Sequence, residues 1–264
     1  MIDLHCHMLP GIDDGPTSLD VSLAMARCAW EDGIRFTACT PHIYPGLYEN
    51  DRAGIEAAAA AFREALQEAG IPLQIGVGAD THLAPDLTGG IKAGRVPTLC
   101  GSRYFLLEPP HHVAPPRFTD SVFNLMAAGY VPVITHPERL TWIEDHYPVF
   151  VELVKQGAWM QITAGSVTGR FGKRPQYWAE RVLDERQVHI LATDSHHIDK
   201  RPPLLAEGRD AAAKRVGTEE ANHMVVTRPQ GILDDAAPGS LPPLPEPPGS
   251  GSNGGWWRQL FGRA

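Results

Sequence analysis

Seven short β-rich runs divide the chain, and helical patterns fill the intervals between them. The runs are IDLHCH (2–7), IRFTACTPH (34–42), LQIGVGAD (73–80), YFLLEPP (104–110), VPVITHPE (131–138), WMQITAG (159–165) and VHILATDSHH (188–197). LDVSLAMARCAWEDG, DRAGIEAAAAAFREALQEAG, RFTDSVFNLMAAG, YPVFVELVKQG and PQYWAERVLDERQ read as helices between them. All but the last close at a glycine, the residue suited to a helix terminus. Thr17 and Asp20 have the spacing of a capping box at the first helix. Strands that alternate with helices pair in parallel, so the pattern predicts a barrel-like α/β fold. A doubly wound open sheet is the alternative, but it would not gather all the strand ends into one ring.

The ionisable residues fall at the C-terminal ends of these runs: His7, His42, Asp80, Glu108, His136 and Asp194. In a barrel of parallel strands those ends meet on one face, where active sites are built. The sixth run, WMQITAG, is followed by Ser166 and offers no obvious ligand. His5 and His7 share one face of their strand because side chains alternate with period two, while Cys6 points the other way. Asp3 lies on the same face and is placed to orient a ligand histidine. An isolated H-x-H is more often incidental than catalytic. Here it gains weight from TPHIYPG, FLLEPP, THPER and TDSHH at successive strand ends. Imidazole and carboxylate without thiolate suit Mn, Fe or Zn.

Bulk properties narrow the function classes. A chain of 264 residues with 43% hydrophobic and 20% charged residues can bury a substantial core. Its net charge of −8 gives no global attraction for nucleic acid or an anionic membrane. No run approaches the ~18 apolar residues of a spanning helix. The opening residues do not form a signal peptide, since Asp3 and His5 interrupt the apolar run, so a cytoplasmic location is expected. Cys6, Cys28, Cys39 and Cys100 form no C-x-x-C pair and miss the C-x5-R spacing of cysteine-dependent phosphatases. A thiol nucleophile is therefore not expected.

IDLHCHMLPGIDDGP, CTPHIYPG, LLEPP, THPERL and TDSHH together resemble the polymerase-and-histidinol-phosphatase (PHP) superfamily. More narrowly, they resemble its bacterial tyrosine-protein phosphatases of capsular and exopolysaccharide biosynthesis, over about residues 1–230. The resemblance implies a distorted seven-stranded (β/α)7 TIM-like barrel with three divalent metal ions, commonly manganese, with iron or zinc as alternatives. Carried over residue by residue, the metal ligands would be His5, His7, Asp14, His42, Asp80, Glu108, His136, Asp194 and His196. Asp80 departs from the family's usual glutamate by one methylene, which bears on bridging geometry and metal preference. His82 could compensate or be a plain loop histidine. Arg139 and Arg201 would bind or stabilise the transferring phosphoryl group through their guanidinium forks. The bland alternatives are solvation, or ion pairs with Glu138 and Asp199.

Three divalent ions bring roughly +6 and four ligand carboxylates remove about 4, leaving a centre of about +2 that attracts a phosphomonoester dianion. A metal-bridging hydroxide would attack phosphorus, with no phosphoenzyme. The resemblance thus implies a metal-dependent protein-tyrosine phosphatase whose target is a bacterial tyrosine kinase of polysaccharide assembly. A small-molecule phosphomonoesterase, such as one acting on histidinol phosphate, is the alternative enzyme. An amidohydrolase would usually want a metal-bridging lysine where Glu108 stands. A catalytically weak regulator of polysaccharide assembly is the alternative outside enzymes.

Several side chains carry two readings. Asp13 caps the first helix or holds a ligand histidine. His111 and His112 line the entrance or are exposed loop residues. Tyr44 and Tyr48 flank an aromatic substrate or pack within their loop, and His189 and His197 are read as structural. Residues 1–233 are expected to form the barrel and 234–255, rich in Pro, Gly and Ser, an unfolded linker. Residues 256–264, WWRQLFGRA, would dock to the inner face of a membrane or to a membrane-associated partner. The alternative is a fold-back onto the barrel.

Overall fold

The computed structural model describes residues 1–247. Its strands are β1 (Ile2–Cys6), β2 (Phe36–Cys39), β3 (His42–Ile43), β4 (Gln74–Val77), β5 (Asp80–His82), β6 (Tyr104–Glu108), β7 (Val131–Thr135), β8 (Trp159–Thr163) and β9 (Ile190–Ala192). Pairing between these strands is parallel throughout, in a three-stranded sheet β1-β2-β4 and a six-stranded sheet β3-β5-β6-β7-β8-β9. Helices separate the strands, as in the parallel α/β pattern expected, except between β2 and β3 and between β4 and β5.

Two of the seven expected runs are interrupted. IRFTACTPH breaks at Thr40–Pro41, where proline has no N–H for the ladder. LQIGVGAD breaks at Gly78–Ala79, and a Cβ on Gly78 would stand 3.0 Å from Leu99 and 3.1 Å from Thr40. The second half of each run pairs in the larger sheet and the first half in the smaller. Backbone bonds from Gly78 N to Cys39 O (3.0 Å) and from Asp80 N to Pro41 O (3.1 Å) carry the connection. On the other side, the end of β1 meets the exit of β9. Asp194 N donates to His5 O, and His7 N to Ser195 O, both at 2.8 Å.

The first helix, Leu19–Glu31, is capped by Ser18, whose side chain accepts from Val21 N at 3.5 Å. The cap expected at Thr17 is thus one residue early. Gly33 follows with φ +95°, a conformation glycine adopts without strain. Asp32, between them, accepts from Leu205 N (2.7 Å) and Ala206 N (2.9 Å), capping the helix Ala206–Val216 from across the chain. In the helix Arg52–Glu68, the buried residues Ile55, Ala59, Phe62 and Leu66 recur at helical spacing and face the sheet.

The core divides by strand alternation. Along β6, Tyr104 and Leu106 join an inner cluster with Leu4, Ala38, Val133 and Ile190. Phe105 and Leu107 face outward into a larger layer with Met25, Phe62, Phe150 and Trp178 of the helices. Ile232, Leu233 and Leu241 pack onto the inner cluster from the C-terminal part of the chain.

That packing corrects the expected linker at its start. Arg103 makes a forked ion pair with Asp235, and Tyr104 OH donates to Ala236 O at 2.8 Å. The fully buried Arg228 guanidinium donates to Pro242 O (3.0 Å) and Pro243 O (2.9 Å) and pairs with Glu220 (2.7 Å). A proline-rich strip has few donors of its own, so a buried cation that collects its carbonyls fastens it instead of leaving it solvated. The segment 256–264 lies outside the described residues. Among the described residues no helix is long and apolar enough to cross a membrane.

Candidate metal centre

The nine expected ligands converge in one cluster, most of them at or just beyond the C-terminal ends of strands. His5 and His7 come from β1 and its exit, and Asp14 from the loop that follows. His42 opens β3, Asp80 opens β5, Glu108 closes β6, and His136 leaves β7. Asp194 and His196 follow β9. His5 Nε2 lies 3.2 Å from His7 Nε2 and 3.3 Å from both Asp80 Oδ2 and Asp194 Oδ1. His42 Nδ1 is 3.5 Å from Asp80 Oδ2 and from Glu108 Oε2. Asp14 Oδ1 joins His42 Nε2 (3.4 Å) to His196 Nε2 (3.2 Å). His136 Nε2 stands 3.9 Å from Asp80 and Glu108 and 4.0 Å from Asp194. His5, His7 and Asp80 are fully buried, whereas the Asp14 side chain is 44% exposed, so the cluster opens on the Asp14 side.

This donor set fits divalent cations. His42 Nδ1, Asp80 Oδ2 and His196 Nε2 are buried without a hydrogen-bond partner. Leaving such atoms unpaired costs about 1–3 kcal/mol each, and a cation relieves several at once. Overlapping groups of these residues bring their ligand atoms within 4.8 Å of one another, among them His5–His136–Asp194 and His7–Asp14–His42–His196. Nitrogen and oxygen donors without thiolate match Mn, Fe or Zn.

Burial and charge compete across the cluster. Burial opposes a charged His5 ring, but Asp80 and Asp194 outweigh it and raise the ring to about 9. His136 goes down to about 4, first through burial and then through the Arg139 charge, despite its contact with Asp80. Burial raises Asp194, but Arg201, His5 and Arg139 hold it well below the carboxylate range.

The side chains behind the cluster were only partly anticipated. Asp13 holds a ligand-type histidine, accepting from His7 Nδ1 at 2.7 Å, and so takes that reading over a helix cap. It also accepts from Gly15 N (2.9 Å) and His42 N (3.1 Å). Asp3, expected to orient a histidine ring, instead accepts from backbone N–H groups of His5 (3.4 Å) and Thr193 (3.0 Å) and from the Thr193 hydroxyl (2.5 Å). It latches β1 to the exit of β9. The His5 ring is held by Gln161, whose Oε1 lies 2.9 Å from Nδ1. Gln161 belongs to WMQITAG, the run that offered nothing obvious. Its signal was a glutamine inside an otherwise apolar strand.

Arg139 Nη1 and Arg201 Nη2 both donate to Asp194 Oδ2, not to Glu138 or Asp199. Glu138 is buried and accepts from Thr163 N at 2.9 Å. The two guanidinium carbons stand 4.9 and 5.8 Å from the centre of the Phe171 ring, a residue the sequence did not bring out. Tyr44 stacks on His82 at 3.8 Å and Tyr48 on His42 at 5.5 Å, while Tyr44 N bonds to Tyr48 O within their own loop. His82 Nδ1 is 3.7 Å from Glu108 Oε2. His189 is structural: buried, stacked on Trp159, it accepts from Met160 N at 3.1 Å. His197 lies apart from the cluster, its Nδ1 accepting from Asp199 N at 3.1 Å.

Residues 1–234 match the family model described as capsular polysaccharide synthesis, CpsB/CapC. The tyrosine-protein phosphatase YwqE of Bacillus subtilis (strain 168) is 35% identical over 221 residues, 83% of this chain and 86% of that protein. The tyrosine-protein phosphatase CpsB of Streptococcus pneumoniae is 30% identical over 240 residues, 89% and 99% of the two chains. A solved structure from work on YwqE and CpsB, described there as unique metal-dependent tyrosine phosphatases, superposes with a TM-score of 0.86. Its identity is 32%, over 90% of this chain and 96% of that one. An organophosphorus hydrolase from Deinococcus radiodurans, 15% identical over 88% of this chain and 92% of its own, shares the fold with a TM-score of 0.53.

Proposed function

The chain belongs to the CpsB/CapC family of capsular polysaccharide synthesis, and on that premise we propose that it hydrolyses phosphotyrosine in proteins at the strand-end cluster. It is a metal-dependent protein-tyrosine phosphatase. The observation that carries the reading is the convergence of His5, His7, Asp14, His42, Asp80, Glu108, His136, Asp194 and His196. In the finer reading these nine hold three divalent ions, manganese first, with iron or zinc as alternatives. The two sheets then act as one distorted seven-stranded barrel around them.

Bound ions supply positive charge for phosphoryl oxygens and make water acidic enough to act at neutral pH. The chain's own residues do the rest. Gln161, Asp13 and the Asp194 carbonyl engage the Nδ1 atoms of His5, His7 and His196. Those contacts turn each Nε2 toward the cluster. Arg139 and Arg201 share one oxygen of Asp194, and Arg201 Nε is buried with no partner. A phosphate dianion offers these forks the oxygens that one carboxylate cannot. Tyr44 and Tyr48 beside the opening suit a substrate whose leaving group is a phenolate.

The partner in this reading is a bacterial tyrosine kinase of polysaccharide export. The location is the cytoplasm, at the inner face of the membrane if residues 256–264 dock there. The test is turnover by metal-stripped protein, with manganese, zinc, iron or magnesium restored separately. Substrates are phosphotyrosyl peptides, phosphoseryl peptides and histidinol phosphate. Manganese-restored hydrolysis preferring phosphotyrosine is expected. Faster turnover of histidinol phosphate, or no hydrolysis with any ion, would sink the reading.

A further inference from the structure

A tenth side chain faces one of the same carboxylates, that of Glu108. His111 lies three residues beyond Glu108, in the loop after β6. Its Nε2 is 3.5 Å from Glu108 Oε1, and its ring centre is 5.1 Å from that of His136. One ligand atom each from Glu108, His111 and His136 fit within 4.8 Å of one another.

The loop is not a free tether. Thr141 donates to the His111 carbonyl from N at 3.0 Å and from Oγ1 at 3.1 Å. Trp142 Nε1 donates to the neighbouring Pro110 carbonyl at 2.8 Å. Trp142 is itself packed against Phe118 and Phe150, so the strap is anchored in the core. It also comes from the segment just after His136, which ties the two histidines to one support. His112, next in sequence, is exposed and shows what an ordinary loop histidine looks like here.

We propose that His111 is a metal ligand, completing with Glu108 and His136 one divalent-cation position on the β6–β7 side of the cluster. The inference rests on the metal-dependent reading above. Glu108 also groups with His42 and Asp80, so its carboxylate spans two positions while His111 serves one of them. A neutral imidazole adds no charge. It shifts that position toward transition ions such as zinc or iron and away from magnesium.

The full chain, stripped and reloaded with cobalt(II), tests this by calorimetric titration and by the visible spectrum of the bound ion. Loss of a contact behind a ligand weakens metal binding by ~10–100-fold. His111→Ala is expected to weaken one ion by at least the upper end of that range and to change the cobalt spectrum. Added imidazole should restore the spectrum. His111→Gln, which keeps a donor for Glu108 but has no ring nitrogen, should not, and His112→Ala should bind like wild type. Wild-type affinity and spectrum in His111→Ala, or full recovery in His111→Gln, would overturn the proposal. Wild-type protein that binds cobalt through His111 yet hydrolyses no phosphotyrosyl peptide would sink the phosphatase reading while supporting the ligand. Protein that binds no divalent ion would sink both.

Discussion

Replacing Gln161 by leucine removes the acceptor that holds the His5 ring, and the structure lets the effect on metal binding be separated from the effect on stability. Both residues are buried, and the Oε1–Nδ1 contact is 2.9 Å. With ions bound, Nε2 of His5 is committed to the cluster and Nδ1–H has nowhere else to turn. An unpaired buried donor costs about 1–3 kcal/mol, and every 1.4 kcal/mol is tenfold in affinity. Metal binding should therefore weaken roughly 5- to 150-fold. In the stripped protein the balance differs, because no ion fixes Nε2 and the ring can turn its N–H groups toward Asp80 and Asp194, while leucine also removes Gln161 Nε2, which is buried without a partner. Thermal unfolding of the stripped variant should shift by less than the ~2–4 °C that 1 kcal/mol produces in a domain of this size. Gln161→Glu keeps an acceptor and should keep affinity. The measurements are calorimetric metal titration and thermal unfolding of metal-free protein. Unchanged metal affinity in Gln161→Leu, with a lowered unfolding temperature, would refute the reasoning and make Gln161 a plain packing residue.

Arg139→Lys and Arg201→Lys should each lower kcat on an aryl phosphate by roughly 10²–10³-fold, the loss typical of one preorganised charge-stabilising donor. Metal content should stay unchanged, and wild-type turnover in either variant would count against a phosphoryl role. His5, raised to about 9, carries a proton at neutral pH in stripped protein that an incoming ion must displace. Affinity should accordingly rise with pH up to about 9, and calorimetric heats at pH 7 should depend on the buffer's ionisation enthalpy; buffer-independent heats would contradict this. Arg228→Met leaves Glu220 buried without its partner and should cost ~3–5 kcal/mol in denaturant unfolding. Adding Glu220→Leu should recover much of that loss, so a double variant no more stable than the single one is the adverse result. Deleting residues 236–264 removes the Ala236 carbonyl from Tyr104 and the Pro242 and Pro243 carbonyls from Arg228, and should lower the unfolding temperature relative to deleting 248–264, whereas equal values would deny those contacts a role.

The strand-end ligand types were legible because their signal is local. A histidine or carboxylate closing an apolar run can be read from its neighbours, and parallel strand order then brings such ends to one face. What escaped the sequence were pairings across the structure. Gln161 meets His5 across 156 positions of chain, and Thr193 meets Asp3 across 190. Nothing near either residue marks its partner. Glu138 looked like a surface mate for Arg139, yet the turn after β7 directs it inward to Thr163 and leaves Arg139 over the cluster. The interruptions at Thr40–Pro41 and Gly78–Ala79 could be suspected from proline and glycine, but the exchange of partners between sheets could not. Composition after Asp234 suggested solvated chain because it says nothing of a buried guanidinium waiting for carbonyl groups.

Arg139 and Arg201 reach the cluster from different strand ends, yet both guanidinium carbons lie near the single phenyl ring of Phe171, 4.9 and 5.8 Å from its centre. Phe171 is not among the ligand-type residues; it sits in the stretch that leads into the helix Lys173–Asp184. A change in that stretch would tilt both forks together while keeping every histidine and carboxylate of the cluster, and it would be felt there only through the oxygen of Asp194 that the two arginines share. In the proposed reading, the oxyanion accepted can therefore drift, or be redesigned, with the ligand side chains unchanged.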